Sequence, residues 1–328
     1  MNAQIGTDLQ RANELLTAGQ LVGIPTETVY GLAGNALNPD AVLEIFRAKN
    51  RPAFDPLIVH TDSLAKVETF VTDVPAAARR LADAFWPGPL TLLLPRRDVV
   101  PDLVTSGLPT VGVRIPNHPL TLRLLRSLDF PLAAPSANPF GYISPTTAQH
   151  VADQLGDRIR YVLDGGPAAV GLESTIVGFE TNGVNADGTP TIYRLGGLAL
   201  ADIEAVIGPV AVRSHSTSNP KAPGMLSSHY APRKPLVLLP AGGSPPSDAI
   251  TDRTGALVFR EPFGGIRTEN QRVLSPTGDS DEAARNLFAH LRALDALPVD
   301  VIYAEPLPPE GLGAAINDRL RRASTPAA

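Results

Sequence analysis

Short apolar runs alternate along the chain with segments whose apolar residues recur at helical spacing. Residues 8–18 form the first helical segment, and the apolar run 21–24 follows it. Asn38 or Asp40 caps a second helical segment, which the apolar run 57–60 follows. Because helices and strands continue to alternate in this way, the pattern predicts an α/β fold with a sheet flanked by helices.

The alternation stops between residues 209 and 235. This segment is rich in Ser, Pro, Asn and Lys without periodicity, which is typical of a linker. It also contains His229 and Tyr230, an aromatic pair that an ordinary free linker would avoid. We therefore expect the linker to lie over a surface of the protein.

The pattern begins again after the linker as a smaller α/β layer. Because 328 residues exceed the size at which a single core usually keeps growing, we predict two domains, 1–208 and 236–328, joined by the linker 209–235. In the C-terminal layer, strands are predicted at 236–239, 256–259, 272–274 and 301–304, and helices at 248–253, 281–297 and 312–322.

Composition excludes several classes of site. The chain has 43% hydrophobic residues and a net charge of -5, which gives it no general basic surface for nucleic acid. It has no cysteine, so thiolate zinc sites and a cysteine nucleophile are excluded, and its six histidines lack metal-binding spacing. No apolar stretch approaches the length of a membrane span, and we expect a cytoplasmic protein.

Three cations stand where an anion could bind. Lys49 and Arg51 lie where the second predicted helix ends. Cations are favourable at any helix C-terminus, so a purely structural role for this pair stays open. An Arg, however, matches the geometry of phosphate or carboxylate. Arg114 lies among apolar residues of the predicted strand 110–116, where it either extends to the protein edge or binds an anion in a cleft; we favour the second, because a desolvated guanidinium needs a partner.

Small polar residues accompany several predicted strands. Thr26 and Thr28 follow the first strand, Ser136 and Asn138 follow a later one, and Ser174 begins another. Open α/β sheets usually bind ligands beyond the carboxyl ends of their strands, although an ordinary Ser or Asx turn is the alternative. Ser174 has no His or Asp at triad-like positions, so we expect it to bind a ligand rather than act as a nucleophile.

Six motifs, in the order in which they occur here, resemble those of the YrdC/Sua5 family. They are PTETVYGL (25–32), KNRP (49–52), PLIVH (56–60), WPGP (86–89), SAN (136–138) and ESTI (173–176). The resemblance covers about residues 10–200. The motifs PGM (223–225) and HYAP (229–232), together with the C-terminal layer, resemble the longer Sua5 form rather than the single-domain form.

The resemblance implies a fold and an activity. The fold would be a twisted, open YrdC-like sheet with helices around a basic cavity, plus a smaller Rossmann-like domain. The activity would be that of a nucleotidyltransferase that makes threonylcarbamoyl-AMP and pyrophosphate from L-threonine, bicarbonate or CO2, and ATP. The product would pass to the machinery that forms N6-threonylcarbamoyladenosine in tRNA, and a weak contact with RNA would be compatible with this role. No Asp/Glu cluster indicates a protein-built metal site, so Mg²⁺ would be held mainly by the ATP phosphates.

The resemblance also implies the site residues. Those near L-threonine would be Thr28, His60, Arg114, Ser136 and Ser174. Those near ATP would be Lys49, Arg51, Asp55, Thr110, Asn138, Ser144 and Arg194, with Tyr230 as a lid from the linker. Lys49, Arg51 and His60 are the catalytic candidates, acting by positioning and charge stabilisation. No residue stands out as a general base, and for His60 we favour substrate orientation.

The chain departs from the family pattern at two places. Asp55 stands where the family commonly has Asn, which adds a negative charge near the expected nucleotide, and 226–228 replaces a more basic linker segment. Two other functions are alternatives: a non-catalytic RNA-binding module and a carbamoyltransferase of the hydrogenase-maturation type. The acidic net charge and 5% aromatic content argue against the first, and the lack of cysteine zinc motifs argues against the second.

Overall fold

A computed structural model describes residues 3–179, 189–213, 222–223 and 228–325 of the chain. Positions 224–227, which include most of the PGM motif and two residues of the second family departure, lie outside the described residues. Much of the predicted linker lies outside them as well.

One mixed sheet dominates the N-terminal part of the described chain. Its strands are β1 (Gln4–Gly6), β2 (Val22–Ile24), β3 (Gly31–Asn35), β4 (Ile58–His60), β5 (Leu90–Pro95), β6 (Thr110–Arg114), β7 (Leu132–Ala133), β8 (Tyr161–Leu163), β9 (Thr175–Phe179), β10 (Pro190–Arg194) and β11 (Ala211–Val212). Across the sheet the order is β1-β8-β2-β3-β7-β4-β6-β5-β9-β10-β11. The functional motifs are far apart in sequence, but this order brings the strands that carry them side by side.

Helices cover this sheet, and side-chain caps fix where several of them begin. The helices are α1 (Leu9–Thr17), α2 (Pro39–Lys49), α3 (Leu64–Val67), α4 (Ala76–Phe85), α5 (Asp102–Thr105), α6 (Pro119–Arg126), α7 (Ala148–Leu155) and α8 (Leu200–Ile207). Asn38 accepts the backbone N–H groups of Asp40 and Ala41 at the start of α2, and Thr147 caps α7. α2 ends at Lys49, and the next residue, Asn50, caps it in a left-handed backbone conformation.

A second, smaller sheet forms the C-terminal part. Its strands are β12 (Leu236–Leu238), β13 (Thr254–Val258), β14 (Gln271–Val273) and β15 (Val301–Ala304), and its helices are α9 (Ser280–Ala296) and α10 (Gly313–Ala323). All four strands are parallel, in the order β12-β15-β13-β14. Such a parallel sheet needs helical crossovers, which α9 supplies between β14 and β15. No helix in the described ranges is both long and apolar enough to cross a bilayer.

The predicted α/β class and its division into a large and a small sheet are confirmed. The helix predicted at 248–253 is wrong, because the chain forms only a short 3-10 turn at Ser247–Ala249. Here the Thr254 hydroxyl donates to the Ala249 carbonyl, 3.1 Å away, and accepts the Thr251 N–H, so side-chain bonds replace those of a helix. The pattern did not predict β1, β3 or β11, the last of which lies within the predicted linker.

The two sheets share a packed apolar contact. Val29, Ile143 and Leu172 from the N-terminal part belong to the same buried cluster as the apolar residues of α9 and α10. Tyr230 of the linker lies in that cluster too. The C-terminal part therefore packs against the segment that leads into the ESTI motif.

Candidate active site

A cavity lies where the β2–β3 turn, the ends of β4 and β6, and the start of β9 meet. Many of the site residues predicted from sequence line it: Thr28, Arg51, His60, Arg114, Ser136, Ser174, Arg194 and Tyr230. Its volume is about 50 Å³, enough for a few water molecules and well below that of a nucleotide pocket. Linker residues Pro223, His229 and Tyr230 form part of its wall.

Other predicted site residues lie outside this wall. Lys49, Asp55, Asn138 and Ser144 are buried directly behind residues that line the cavity. Thr110 is further away, at the opposite end of β6 from Arg114, where it pairs with Pro95 of β5. The structure therefore does not bring Thr110 to the cavity.

Arg114 is held by three side-chain contacts in the cavity wall. It is the last residue of β6, and in the sheet it lies beside His60 of β4. Its guanidinium donates to the Thr28 hydroxyl at 2.8 Å and to the Gly88 carbonyl at 3.2 Å, and it forms an ion pair with Glu27 at 2.8 Å. Only 4% of Arg114 is exposed, so its charge is directed into the cavity and its wall rather than into solvent.

Arg194 and Ser174 form the opposite side of the cavity. Arg194 donates from Nη2 to the Ser174 hydroxyl and from Nε to the Ser174 carbonyl, both at 3.0 Å. The Ser174 hydroxyl also lies 2.7 Å from that of Thr91 on β5. Burial lowers the pKa of Arg194 to about 10, which leaves it charged at neutral pH.

The Arg51 side chain is bonded to the loop that follows α2, whereas its backbone N–H donates to the Phe46 carbonyl of that helix at 3.0 Å. Its guanidinium pairs with the Asp55 carboxylate at 2.9 Å and donates to the carbonyls of Asp55 and Pro56 at 3.1 and 2.8 Å. The guanidinium is thus held by the loop and not by helix carbonyls, while a favourable effect of its charge on the α2 C-terminus stays open. Burial raises the pKa of Asp55, although Arg51 and Lys49 act in the opposite direction.

Lys49 supports the Ser-Ala-Asn turn from behind. Its ammonium group donates to the carbonyls of Ser136 and Asn138, and its own carbonyl accepts the Phe140 N–H at 2.8 Å. Burial lowers the pKa of Lys49 well below its ordinary value, with the Arg51 charge acting in the same direction. Lys49 thus holds the turn that presents Ser136 to the cavity.

His60 lies in the cavity as a neutral imidazole. Burial, and then the neighbouring Arg114 charge, lower its pKa to about 3. Its Nδ1 is 3.2 Å from the Ile58 carbonyl. A neutral ring can orient a substrate by hydrogen bonding, but it cannot supply a positive charge at physiological pH.

This low pKa predicts how acid destabilises the protein. An unfolded His60 binds a proton near its ordinary pKa of about 6.5, whereas the folded one binds it only near 3, so stability falls as the pH drops from about 6.5 towards 3. In this pH range the titration of His60 lowers the free energy of unfolding by up to about 1.4 kcal/mol per pH unit. Because Gln does not titrate, we expect the free energy of unfolding of His60→Gln to fall less steeply with pH than that of the wild type.

Urea unfolding of both proteins between pH 4 and 7 measures this difference. Other buried histidines titrate in both proteins, so only the gap between the two curves reports on His60. Parallel curves would contradict a neutral, buried His60.

The linker closes the cavity through His229 and Tyr230. Tyr230 is 1% exposed and has a left-handed backbone with φ of 63°. Its ring stacks on Phe288 of α9 at 5.6 Å, and the His229 ring packs against it at 4.2 Å. A non-glycine residue in this conformation has to be held by its surroundings.

The sequence did not assign a role to three charged residues around the cavity. Glu27 and Glu173 belong to quoted motifs, but they were not predicted as site residues; Glu173 lines the cavity and accepts the Ser144 hydroxyl at 2.5 Å. Arg319 of α10 reaches Glu173 from the C-terminal part, at 3.2 Å. The sequence shows several arginines near the C-terminal end of α10, but it does not show that this helix faces the site, so it could not place Arg319 near the cavity.

Comparisons with known proteins match the whole length of this arrangement. A family model of Sua5, YciO and YrdC proteins, described as "Telomere recombination", matches residues 14–196. A second model, described as "Threonylcarbamoyl-AMP synthase, C-terminal domain", matches residues 198–325. A threonylcarbamoyl-AMP synthase of Pyrococcus abyssi is 42% identical over 318 residues, 93% of this chain and 91% of the relative.

Two further similarities cover nearly all of the chain. A threonylcarbamoyl-AMP synthase of Bacillus subtilis is 40% identical over 326 residues, 96% of this chain and 92% of the relative. The crystal structure of P. abyssi Sua5 complexed with L-threonine superposes with a TM-score of 0.87 at 39% identity, covering 96% of this chain and 94% of that one. The resemblance drawn from the six motifs is confirmed, and so is an enzyme of the nucleotidyltransferase type. The chain belongs to the Sua5/YrdC family, in its two-domain Sua5 form.

Proposed function

We propose that this chain joins L-threonine, bicarbonate or CO2, and ATP into threonylcarbamoyl-AMP, with release of pyrophosphate. The observation that supports this most directly is the convergence of three guanidinium groups, those of Arg51, Arg114 and Arg194, on one cavity. The triphosphate, the amino-acid carboxylate and the carbamate are all anions. Fixed cations in a site shielded from water stabilise such charges more strongly than they do in water.

Threonine would bind at the end of β6. Arg114 would pair with its carboxylate, in competition with Glu27, and Thr28, Ser136 and Ser174 offer hydroxyl groups around it. The neutral ring of His60 would orient the amino acid through a hydrogen bond.

The nucleotide would occupy the side of Arg51 and Arg194. The threonine amino group adds CO2 and loses a proton to give a carbamate. A carbamate oxygen then attacks the α-phosphorus, whose bond to the bridging oxygen breaks as pyrophosphate leaves. The protein contributes positioning and charge stabilisation, and the cations of the wall oppose the negative charge of the transition state.

Magnesium would arrive with the nucleotide. The carboxylates near the cavity are each held in an ion pair: Glu27 with Arg114, Asp55 with Arg51, and Glu173 with Arg319. These pairs support a Mg²⁺ ion carried by the phosphates and water.

ATP binding would require the linker to move. With Tyr230 in its closed position the cavity has only about 50 Å³, so the nucleotide would enter while this residue is displaced. Tyr230 would then act as the lid over bound substrates. Transfer of the product to the tRNA-modifying machinery and the cytoplasmic location stay predictions.

Pyrophosphate release tests the proposed function. We expect release from ATP to need both L-threonine and bicarbonate, and the nucleotide product to carry the threonine carbon skeleton. Mass spectrometry of the product and a coupled pyrophosphate assay measure the two parts.

Two results would contradict the proposal. ATP turnover indifferent to threonine would exclude a threonylcarbamoyl-adenylate product. A requirement for carbamoyl phosphate in place of bicarbonate would favour a carbamoyltransferase instead.

A further inference from the structure

A guanidinium group of the C-terminal part is buried directly behind the cavity wall. Arg319 of α10 is completely buried. Its Nε and Nη2 both lie 3.2 Å from Glu173 Oε2. Its Nη1 donates to the Leu195 carbonyl at 2.6 Å and to Asp318 at 3.1 Å. Every side of the guanidinium is therefore occupied by a partner.

Two of these partners adjoin residues of the proposed site. Glu173 precedes Ser174, and Leu195 follows Arg194. Arg319 thus bonds the residue before Ser174 and the residue after Arg194, close to where those two side chains meet. The contact links positions 146 residues apart in the chain.

Glu173 also bonds two other segments near the cavity wall. Its other carboxylate oxygen accepts the Ser144 hydroxyl at 2.5 Å, and its backbone carbonyl accepts the Gly197 N–H at 2.9 Å. Burial raises the pKa of Glu173, but the charges of Arg319 and Arg194 outweigh it and hold the pKa below its ordinary value. The carboxylate is therefore ionised, and it needs Arg319 as its counter-ion.

Arg319 also supports the closed linker. The Tyr230 ring lies 5.2 Å from the Arg319 guanidinium and 5.0 Å from that of Arg322, while Phe288 stacks on it. These three neighbours all belong to α9 and α10. Cation–π contacts of this kind are stronger when desolvated, as they are here.

We propose that Arg319 is a positioning residue for the proposed reaction, which sets the Ser174–Arg194 wall and seats Tyr230 over the substrates. The inference rests on the proposed roles of Ser174, Arg194 and Tyr230. It gives the C-terminal part a role in the reaction, because the Arg319 guanidinium of α10 fixes the nucleotide and threonine sides of the cavity relative to each other. Arg319 itself does not line the cavity, so it acts through its partners.

Steady-state kinetics of full-length Arg319→Met and Arg319→Lys test this proposal. Met keeps the length of the apolar stem and removes the charge, whereas Lys keeps a charge but loses the planar fork. For Met we expect the KM values for both ATP and L-threonine to rise about tenfold or more, because small displacements of positioning groups have large kinetic effects. For Lys we expect a smaller rise in both.

The comparison of KM with kcat separates positioning from stability. A variant that is only less stable loses active molecules, so its apparent kcat falls while both KM values stay as in the wild type. Tyr142→Phe is the matched control, because it removes another hydrogen bond between the two parts, from Tyr142 to Asp295 at 2.6 Å, away from the Ser174–Arg194 wall. Its KM values should stay unchanged.

The outcomes are distinct. A rise of both KM values in the Arg319 variants, with the control unchanged, supports the proposal; if the Met variant does not fold, the Lys variant decides. Wild-type KM values in either folded Arg319 variant would overturn it. Failure of the wild-type enzyme to release pyrophosphate in response to threonine would overturn the proposed function itself, and this result is visible before any variant is compared.

Discussion

Replacing Arg114 by Met is expected to lower kcat/KM for L-threonine by about a hundredfold or more. The guanidinium is buried at the end of β6 and points towards the Thr28 hydroxyl, within the group that would hold the amino acid. A buried carboxylate that loses its charged partner typically costs 2–5 kcal/mol, and one factor of ten corresponds to about 1.4 kcal/mol. Pyrophosphate release at varied threonine concentrations measures the loss.

Arg114→Met will also destabilise the fold, and this has to be separated from the kinetic effect. Its partner Glu27 is 7% exposed, and a buried carboxylate without its partner costs about 3–5 kcal/mol. The double variant Glu27→Gln/Arg114→Met removes the unpaired charge, so we expect it to recover much of the melting temperature. Its KM for threonine should stay high.

Recovery of the threonine KM together with the melting temperature would contradict the role of Arg114 in binding. The same conclusion would follow if Arg114→Met lost affinity for ATP but kept its affinity for threonine. Arg114→Lys provides the conservative comparison, since it retains a charge without the planar fork that fits a carboxylate.

Much of the N-terminal sheet could be predicted because its strands are short apolar runs between helical segments. The strands that were missed lack this signal. β3 reads Gly-Leu-Ala-Gly-Asn, and its glycines are where neighbouring side chains approach closely: a Cβ at Gly34 would lie 2.9 Å from the Leu21 side chain. Packing of this kind decides the strand, and it is invisible in local hydrophobicity.

The hydrogen-bond and ion-pair partners of the predicted site residues could not be read from the sequence. Arg114 among apolar neighbours indicated that its guanidinium needs a partner, and the structure supplies Glu27, which the sequence did not point to because this pair depends on the folded arrangement of distant segments. For Lys49 the sequence suggested an anion or its own helix terminus, whereas the structure supplies the carbonyls of the Ser-Ala-Asn turn. Pairing between distant segments follows from sheet order, which periodicity does not determine.

The length of β6 explains why Arg114 lines the cavity and Thr110 does not. Both belong to one predicted strand, and both were assigned to the site through the family resemblance. A strand rises about 3.3 Å per residue, so its two ends lie on opposite edges of the sheet. Only the Arg114 end meets the β2–β3 turn and the cavity.

Replacing Arg51 is expected to weaken the use of ATP strongly, and neutralising Asp55 is expected to improve ATP binding. We expect Arg51→Ala to lower kcat/KM for ATP by about thirtyfold or more, since a charge-assisted contact to phosphate is lost. Asp55 adds a negative charge beside Arg51 in the interior, at 2.9 Å, and would repel the phosphates. Asp55→Asn should therefore lower the KM for ATP.

The KM for ATP should rise in Arg51→Ala and fall in Asp55→Asn. This is a strong test, because general damage to the loop would raise the KM for ATP in both variants. Asp55 and Arg51 bond each other, so each single variant leaves a buried group with fewer partners and lowers the melting temperature somewhat. The double variant Arg51→Ala/Asp55→Asn removes both charges and should keep the ATP defect of Arg51→Ala. A double variant with wild-type use of ATP would mean that Arg51 serves only to neutralise Asp55, and the nucleotide would then depend on Arg194 for its charged contact in the cavity.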